Sequence, residues 1–427
     1  MAFCLGEGLG ARPSAASRAR APLRAALVAA ALLSGAVHAA PLSFEQALAL
    51  SEERAASLQA RRAAVEGAQQ ARVAAGQLPD PQLAVGVENY PVSGPERFSW
   101  TRESMTMRRI GVMQEVPNAA KRAAQRDSAD ATAERERAML EAERLAVRRE
   151  AALAWLGLHF AERKLTVFTV LEQENQVLQD TLAARVAAGT AMPADALMAR
   201  QEALELADRR DELRADVERA QAQLRRWTGE LPDLSARAEA PALRLDLARL
   251  LSGLDRHAEL LAYAPMQAMA RADFDEAVAM RRGDWGWELA YANRDRAFGD
   301  MVSFQLTFEL PVSRATRQEP LIASRQKAVE RLQAEREDAL RRIRAEVDAQ
   351  VAELQRLERT LQRQQSAALP LAQERAKVTL TSYQSGRADL GAVLAARKSA
   401  AEAQLRGLDL QAQVMAQQAR LAYLIAE

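Results

Sequence analysis

Residues 118–188 contain no proline and a single glycine, Gly157. Without a helix breaker, a stretch so rich in Ala, Glu, Arg and Leu reads as one α-helix, roughly 105 Å long at ~1.5 Å per residue. A second stretch, residues 312–385, has no glycine; Pro320 stands near its start, and Pro370 is expected to kink or break it. Within it Leu340, Ile343, Val347, Leu354, Leu357 and Leu361 follow steps of 3, 4, 7, 3 and 4, a heptad seam. The other positions carry charge of mixed sign, as in Glu335, Arg336, Glu337 and Asp338, and read as a solvated face without chemistry. Helices this long cannot bury an apolar stripe alone, so they predict neighbours.

The two stretches belong to a duplicated unit. Val112, Gln114, Glu115, Val116 and Pro117 correspond to Leu306, Phe308, Glu309, Leu310 and Pro311, an offset of 194. Further on, Gly189, Leu197, Arg200, Leu213, Val217 and Leu224 align with Gly386, Leu394, Arg397, Leu410, Val414 and Leu421 at an offset of 197. Two ordered sets of matches at similar offsets indicate an internal repeat. Each half reads helix, strand–loop–strand, proline, very long helix, glycine turn, helix.

The strand hairpins are expected at about residues 82–116 and 284–310. Pro79 and Pro81 end the first helical region, and Leu83, Val85 and Val87 then alternate with small or polar residues. Residues 89–96, with Pro91, Gly94 and Pro95, form a loop. The returning run from about Arg102 to Val116 is interrupted by Arg108 and Arg109. The second hairpin is cleaner: Trp285, Trp287, Leu289 and Tyr291 alternate, as do Val302, Phe304, Leu306, Phe308 and Leu310. Such alternation marks strands with one wet and one greasy face. Nine of the chain's 19 aromatic residues fall in these hairpin regions, as expected of strands at membrane interfaces. A surface hairpin on a soluble core would explain either one alone, but fits two hairpins between such long helices less well. Four strands cannot close a barrel, for which about eight are needed, and lipid tolerates no open sheet edge. Strands and helices together therefore require an oligomer, without fixing its number.

Composition narrows the function. Lys and Arg (58) nearly balance Asp and Glu (57), which argues against a nucleic-acid partner. Residues 1–39 read as a secretory signal: Arg12, Arg18, Arg20 and Arg24 form a basic region, an apolar run covers 25–36, and cleavage follows Ala39 or Ala40. The mature chain, residues 40–427, would carry a net charge of about −2 and would have lost Cys4, the only cysteine. Its two histidines, His159 and His257, are too few for a histidine-based metal site. No phosphate-cradling loop, nucleophile triad or metal-ligand cluster is seen, so neither an enzyme nor a cofactor is expected. Met105, Met107 and Met113 read as packing, with a soft-metal path as the other reading.

The motifs then converge. Pro41-Leu42-Ser43-Phe44-Glu45-Gln46-Ala47-Leu48, Leu78-Pro79-Asp80-Pro81, Gln114-Glu115-Val116-Pro117, Glu309-Leu310-Pro311 and the two glycine turns make the sequence similar to the TolC family of outer-membrane efflux proteins. The resemblance covers nearly all of the mature chain. It implies a mainly α fold with a small β part. In it a homotrimer shares a twelve-stranded barrel in the outer membrane, four strands per protomer, above a long coiled-coil α-barrel in the periplasm. The implied partners are a periplasmic adaptor, an inner-membrane pump and outer-membrane lipid. Gly189, Thr190 and Gly386 would be adaptor-docking tip turns, and Asp195 and Tyr383, with Arg387, would restrain a closed tip. The family's tip arginine aligns with Ala388, and acidic positions deeper in the mouth align with Ala392 and Ala395. The segments Glu88-Asn89-Tyr90-Pro91 and Arg108 to Glu115 resemble members serving heavy-metal pumps, which makes metal cations a candidate cargo. Two other readings stay open, a soluble periplasmic coiled-coil scaffold and an adaptor protein.

Overall fold

A computed structural model describes residues 41–243 and 245–426; the expected signal, residues 1–39, lies outside the described residues. The duplication is visible as architecture. In the first half, helices α1 (Phe44–Arg54) and α2 (Ala56–Ala74) lead into strands β1 (Gln82–Glu88) and β2 (Met107–Val116), then α3 (Ala119–Ala187) and α4 (Pro193–Thr228). In the second, α5 (Leu247–Ser252) and α6 (Tyr263–Ala279) lead into β3 (Trp285–Asn293) and β4 (Met301–Phe308), then α7 (Gln318–Arg363), α8 (Leu369–Gln384) and α9 (Leu390–Ala422). The four strands form one antiparallel sheet in the order β1-β2-β3-β4. Among the described residues both outer strands present open edges.

Local chemistry sets the boundaries. The start of α1 is a capping box: Gln46 N–H donates to Ser43 Oγ (3.2 Å), and Ser43 N–H donates to Gln46 Oε1 (3.0 Å). Helix α3 runs unbroken for 69 residues, about 104 Å at the standard rise. At Pro370 the second rod is interrupted but carries on as a further helix. A π-helical turn, Gln364–Ala368, precedes it, and the proline occupies the first turn of α8, where its ring and missing N–H are tolerated. Pro320 likewise falls in the first turn of α7. Strand β2 starts at Met107, later than the expected Arg102. Residues 99–106 instead form a turn-rich loop, in which Ser99 Oγ accepts from Arg102 N–H (3.0 Å) and Glu103 Oε1 from Met105 N–H (3.3 Å).

The heptad seam finds its partners inside the chain. Ile343, Val347, Leu354 and Leu357 are buried against Leu410, Val414 and Leu421 of α9 and against Leu250, Leu254 and Leu260. The C-terminal half of α7 therefore needs no second copy to cover its stripe. The lower rods differ: α8 has no buried residue, and Leu371 and Val378 lie exposed, as do Val177 in α3 and Leu204 in α4. Among the described residues no helix is long and apolar enough to cross a membrane.

A second core centres on Trp155, which is fully buried. Its ring meets Phe44 edge-on at 5.5 Å and stacks on His159 at 5.1 Å, and its Nε1–H donates to the Leu42 carbonyl at 2.8 Å. His159 Nδ1 lies 2.7 Å from the Ala236 carbonyl and must donate to it. Burial pushes this imidazole below its ordinary value and keeps it neutral at pH 7. Nearby, the buried Glu162 accepts from Ser235 Oγ (3.1 Å) and Ala236 N–H (3.0 Å). These contacts fasten the segment around residue 235 across the middle of α3.

Candidate conduction face and helical tips

Strand register sorts the sheet into two faces. Leu83 opposes Val112, which opposes Leu289, which opposes Phe304. Val85, Ile110, Tyr291 and Val302 form the next row, and Trp287 with Leu306 and Trp285 with Phe308 continue toward the helices. Directly opposed residues point to the same side, so one face is almost wholly apolar, and its large side chains are exposed. Its one charge is Arg108, at the end far from the helices, with its guanidinium 5.6 Å from the Trp100 ring centre. A cation and aromatic groups at that end, and Trp285 and Phe308 at the other, flank the apolar rows, as aromatic girdles flank the apolar band of strands that face lipid. With 10 residues in β2 and 9 in β3, the central strands match the ~9–11 needed to cross when tilted.

The opposite face carries small and polar groups: Ala84, Gly86, Gly111, Ala290, Ser303, Gln305 and Thr307, with Glu88, Arg109, Glu115 and Glu288. Arg109 spans three strands, with Nη1 2.6 Å from Glu88 and Nη2 2.8 Å from Glu288. Gly111 makes room for this, since a Cβ there would stand 3.0 Å from Ala290 Cβ and 3.1 Å from Glu288 Oε1. The adjacent arginines that interrupt the alternation thus serve opposite faces. Met107 and Met113 share the polar face but lie six residues apart on one strand, roughly 20 Å, so these two thioethers do not converge. Among the described residues no three His, Cys, Asp or Glu side chains gather as a metal would require.

Sheet and helices are joined at one polar knot. Asp284, just before β3, accepts from Asn118 N–H (2.9 Å) and pairs with Lys121 Nζ (2.8 Å). The Asn118 amide caps α3 by accepting from Lys121 N–H and donates to the Ala279 and Arg282 carbonyls. Burial pushes the Asp284 carboxyl up, but the bonds from Lys121 and Asn118 outweigh it and hold it below its ordinary range. The bond to Asp284 likewise raises the Lys121 ammonium, against an opposing pull from burial.

At the other end the two glycine turns are copies of one motif. Gly189 (φ +70°) donates to the Val186 carbonyl and Thr190 N–H to that of Arg185 (3.0 and 2.8 Å). Gly386 (φ +74°) and Arg387 N–H repeat these bonds to Tyr383 and Ser382 (3.0 and 2.8 Å). This is the Schellman closure, which needs a residue in the left-handed region. The two turns are side by side, because Leu182, Ala199, Leu390 and Val393 form one buried cluster with Tyr383 against it.

Tyr383 also lies under the Arg185 guanidinium, 5.8 Å from ring centre to Cζ, which links one hairpin to the other. Asp195 is in the first turn of α4, half-buried, and Arg387 is exposed. Among the described residues no bond joins Asp195, Tyr383 and Arg387 within the protomer.

Sequence reading missed Arg185, and also a polar layer higher up. There the buried Asn175 donates to Glu202 (2.6 Å) and accepts from Gln179 (2.7 Å), and Arg397 pairs with Glu174 at 2.7 Å. Burial pushes the Glu202 carboxyl up. A lone Asn among the apolar positions of α3 was the available signal.

No protein-family model matches the sequence, and no curated protein matches it either. Solved structures do. The chain superposes on CusC, whose structures concern folding and transmembrane channel formation, with TM-score 0.77 and 14% identity over 91% of this chain and 93% of that one. The outer-membrane protein VceC of Vibrio cholerae matches with TM-score 0.70 and 18% identity over 89% and 95%. The open state of the Neisseria gonorrhoeae outer-membrane channel MtrE gives TM-score 0.72 and 14% identity over 89% and 88%. At these identities the likeness is one of fold, and the fold is that of TolC-type outer-membrane channels.

Proposed function

We propose that this chain is one protomer of a trimeric duct in an outer membrane, the passive exit of a tripartite efflux system. The observation that carries the reading is the sheet: four strands, two open edges, one apolar face and one polar face. In lipid such edges must be paired by other copies. Three copies give twelve strands, roughly 24 Å across between backbones at ~4.8 Å per strand and ~40° tilt. The small residues of the polar face leave that lumen open. Below the membrane α3 with α4, and α7–α8 with α9, extend about 100 Å into the periplasm. The exposed apolar residues of α8 and the lower parts of α3 and α4 then pack between copies.

No step of covalent chemistry is involved. A pump in the inner membrane supplies energy, an adaptor engages the paired tips at Gly189, Thr190 and Gly386, and solute diffuses outward. Asp195 and Arg387, which have no mutual bond within the protomer, reach neighbouring copies and with Tyr383 hold the tip closed. An Asp195→Ala channel with unchanged conductance would remove that role. A signal of 39 or 40 residues directs export. Metal cations are the cargo class suggested by residues 88–91 and 108–115, tested by growth on copper, silver or zinc of a strain lacking its own duct.

The test of the duct itself is electrical. Protein extracted from outer membranes and added to a planar lipid bilayer is expected to give discrete, long-lived conductance steps. Protein that leaves the bilayer insulating would support a periplasmic coiled-coil scaffold instead.

A further inference from the structure

At the end of the sheet far from the helices, the β1–β2 and β3–β4 loops enclose a small cavity of 230 Å³, whose wall includes Trp100, Arg108, Arg294, Asp295 and Arg296. Arg294 fixes the two loops together. Its guanidinium donates to the Phe298 carbonyl and to that of Gly299 (2.8 Å) on its own loop, and reaches the Ser104 carbonyl of the other at 3.5 Å. Asp300 is engaged elsewhere, by the Tyr291 hydroxyl and the Asn293 amide (2.8 Å). Arg108 and Arg296 are exposed, and among the described residues neither guanidinium has a carboxylate partner. The depth of the cavity is set by register. Arg108 stands two residues beyond Ile110 on β2, about 7 Å along the strand, and Ile110 belongs to the apolar row of Val85, Tyr291 and Val302. The cavity thus lies where the apolar face ends, beside an aromatic group: Trp100 packs on Tyr90 at 4.7 Å and under the Arg108 guanidinium at 5.6 Å.

We propose that this cavity binds a phosphate monoester on the headgroup of an outer-leaflet lipid, with Arg108 and Arg296 as its ligands and Arg294 as the residue that positions the loops. The proposal rests on the duct reading, since only a sheet set in an outer membrane meets such a lipid. A guanidinium is always charged and meets two phosphate oxygens at once, which suits it to this ligand. Asp295 offsets one of the three arginines, and its Oδ1 already accepts from Ala297 N–H (3.2 Å), so the wall keeps an excess of positive charge. The volume also fits: 230 Å³ is smaller than the roughly 300–1,000 Å³ of pockets that enclose drug-sized ligands. It takes a headgroup and leaves the acyl chains outside, along the exposed rows of Val85, Ile110 and Val302. A free anion would gain the same ionic bonds but none of that apolar contact, so the lipid is the occupant.

The test is native mass spectrometry of the detergent-extracted protein titrated with diphosphorylated lipid A, with the same lipid stripped of its phosphates, and with inorganic phosphate. Wild-type protein is expected to bind the phosphorylated lipid more tightly than the stripped one, by roughly tenfold for each guanidinium engaged. Arg108→Gln combined with Arg296→Gln should abolish that preference. Arg296→Gln alone, a change confined to an exposed loop, should reduce it severalfold. Arg97→Gln removes an exposed arginine of the β1–β2 loop that does not line the cavity, and should leave the preference at the wild-type value. A wild-type protein indifferent to the phosphates, a preference that survives Arg296→Gln unchanged, or an equal loss in Arg97→Gln would overturn the proposal while leaving the duct standing. So would inorganic phosphate that displaces the lipid at equal concentration, which would mark a free-anion site. Protein recovered only from the soluble periplasmic fraction would overturn the duct reading as well.

Discussion

Asp284 ties the sheet to the longest helix, so its removal should loosen the chain at this joint. Substitution Asp284→Ala removes the ion pair with Lys121, whose side chains are 24% and 28% exposed for Lys and Asp. That pair contributes at most about 1 kcal/mol once solvent screening is counted. It also strands the Asn118 backbone N–H, worth about 1–2 kcal/mol, for a total of about 2–3 kcal/mol. With an unfolding entropy of about 2.1 cal/mol/K per residue, the melting midpoint of a chain this size should fall by about 3 °C. Asp284→Asn keeps the Oδ1 acceptor and loses the charge, so it should cost about 1 °C.

Thermal unfolding of the detergent-extracted protein, followed by near-UV circular dichroism, reads both shifts. Both contributions depend on pH. Asp284 is held below its ordinary value of 3.8, so its contribution is complete above that pH and is lost as pH falls through the lower, folded value. Lys121 is held above 10.5, so its contribution persists below that and is lost as pH rises through the folded value. The difference between wild type and Asp284→Asn should therefore form a plateau between those limits and shrink in acid. Equal losses for the Ala and Asn variants, or a difference unchanged at pH 2, would refute the reasoning.

Three further predictions concern other parts of the molecule. Trp155→Ala empties a fully buried site and orphans the Leu42 carbonyl, so it should cost about 3–5 kcal/mol, while Trp155→Phe should cost clearly less by the same melting assay. Gly283→Ala would put a Cβ 1.7 Å from the Glu309 carbonyl oxygen, whereas Gly86 has nothing within 4 Å. The first variant should lose the detergent-stable assembly on native gels, and Gly86→Ala should keep it. Arg185→Ala frees Tyr383 from the neighbouring hairpin and should raise the open probability of single channels. Tyr383→Phe, which keeps the ring face, should leave that probability near wild type.

How much could be read in advance depended on whether the partner of a residue was local. The glycine turns at 189 and 386 were legible because a helix C-terminus is closed by residues adjacent in sequence. The alternation of Val302, Phe304, Leu306 and Phe308 was legible because a strand in lipid has one uninterrupted apolar face. Arg108 and Arg109 obscured the first hairpin; register is what shows one at the end of the apolar face and the other in the polar bridge. The heptad seam of α7 predicted a neighbour, and the chain supplies it from α9 and residues 250–260. Pro370 was expected to kink or break the rod, and a π turn at Gln364–Ala368 does interrupt the α-helix just before it. Partners separated by long stretches of chain stayed hidden: Trp155 with Leu42, His159 with Ala236, and Arg185 with Tyr383. No periodicity encodes such pairs, since each is fixed only when helices from both halves come together.

The central claim is that this sheet is incomplete until other copies close it. Native mass spectrometry of the protein extracted in detergent from purified outer membranes tests it most directly. The account predicts a single species of three chains, each lacking its signal. A stable monomer or dimer, or recovery only in the soluble periplasmic fraction, would contradict it.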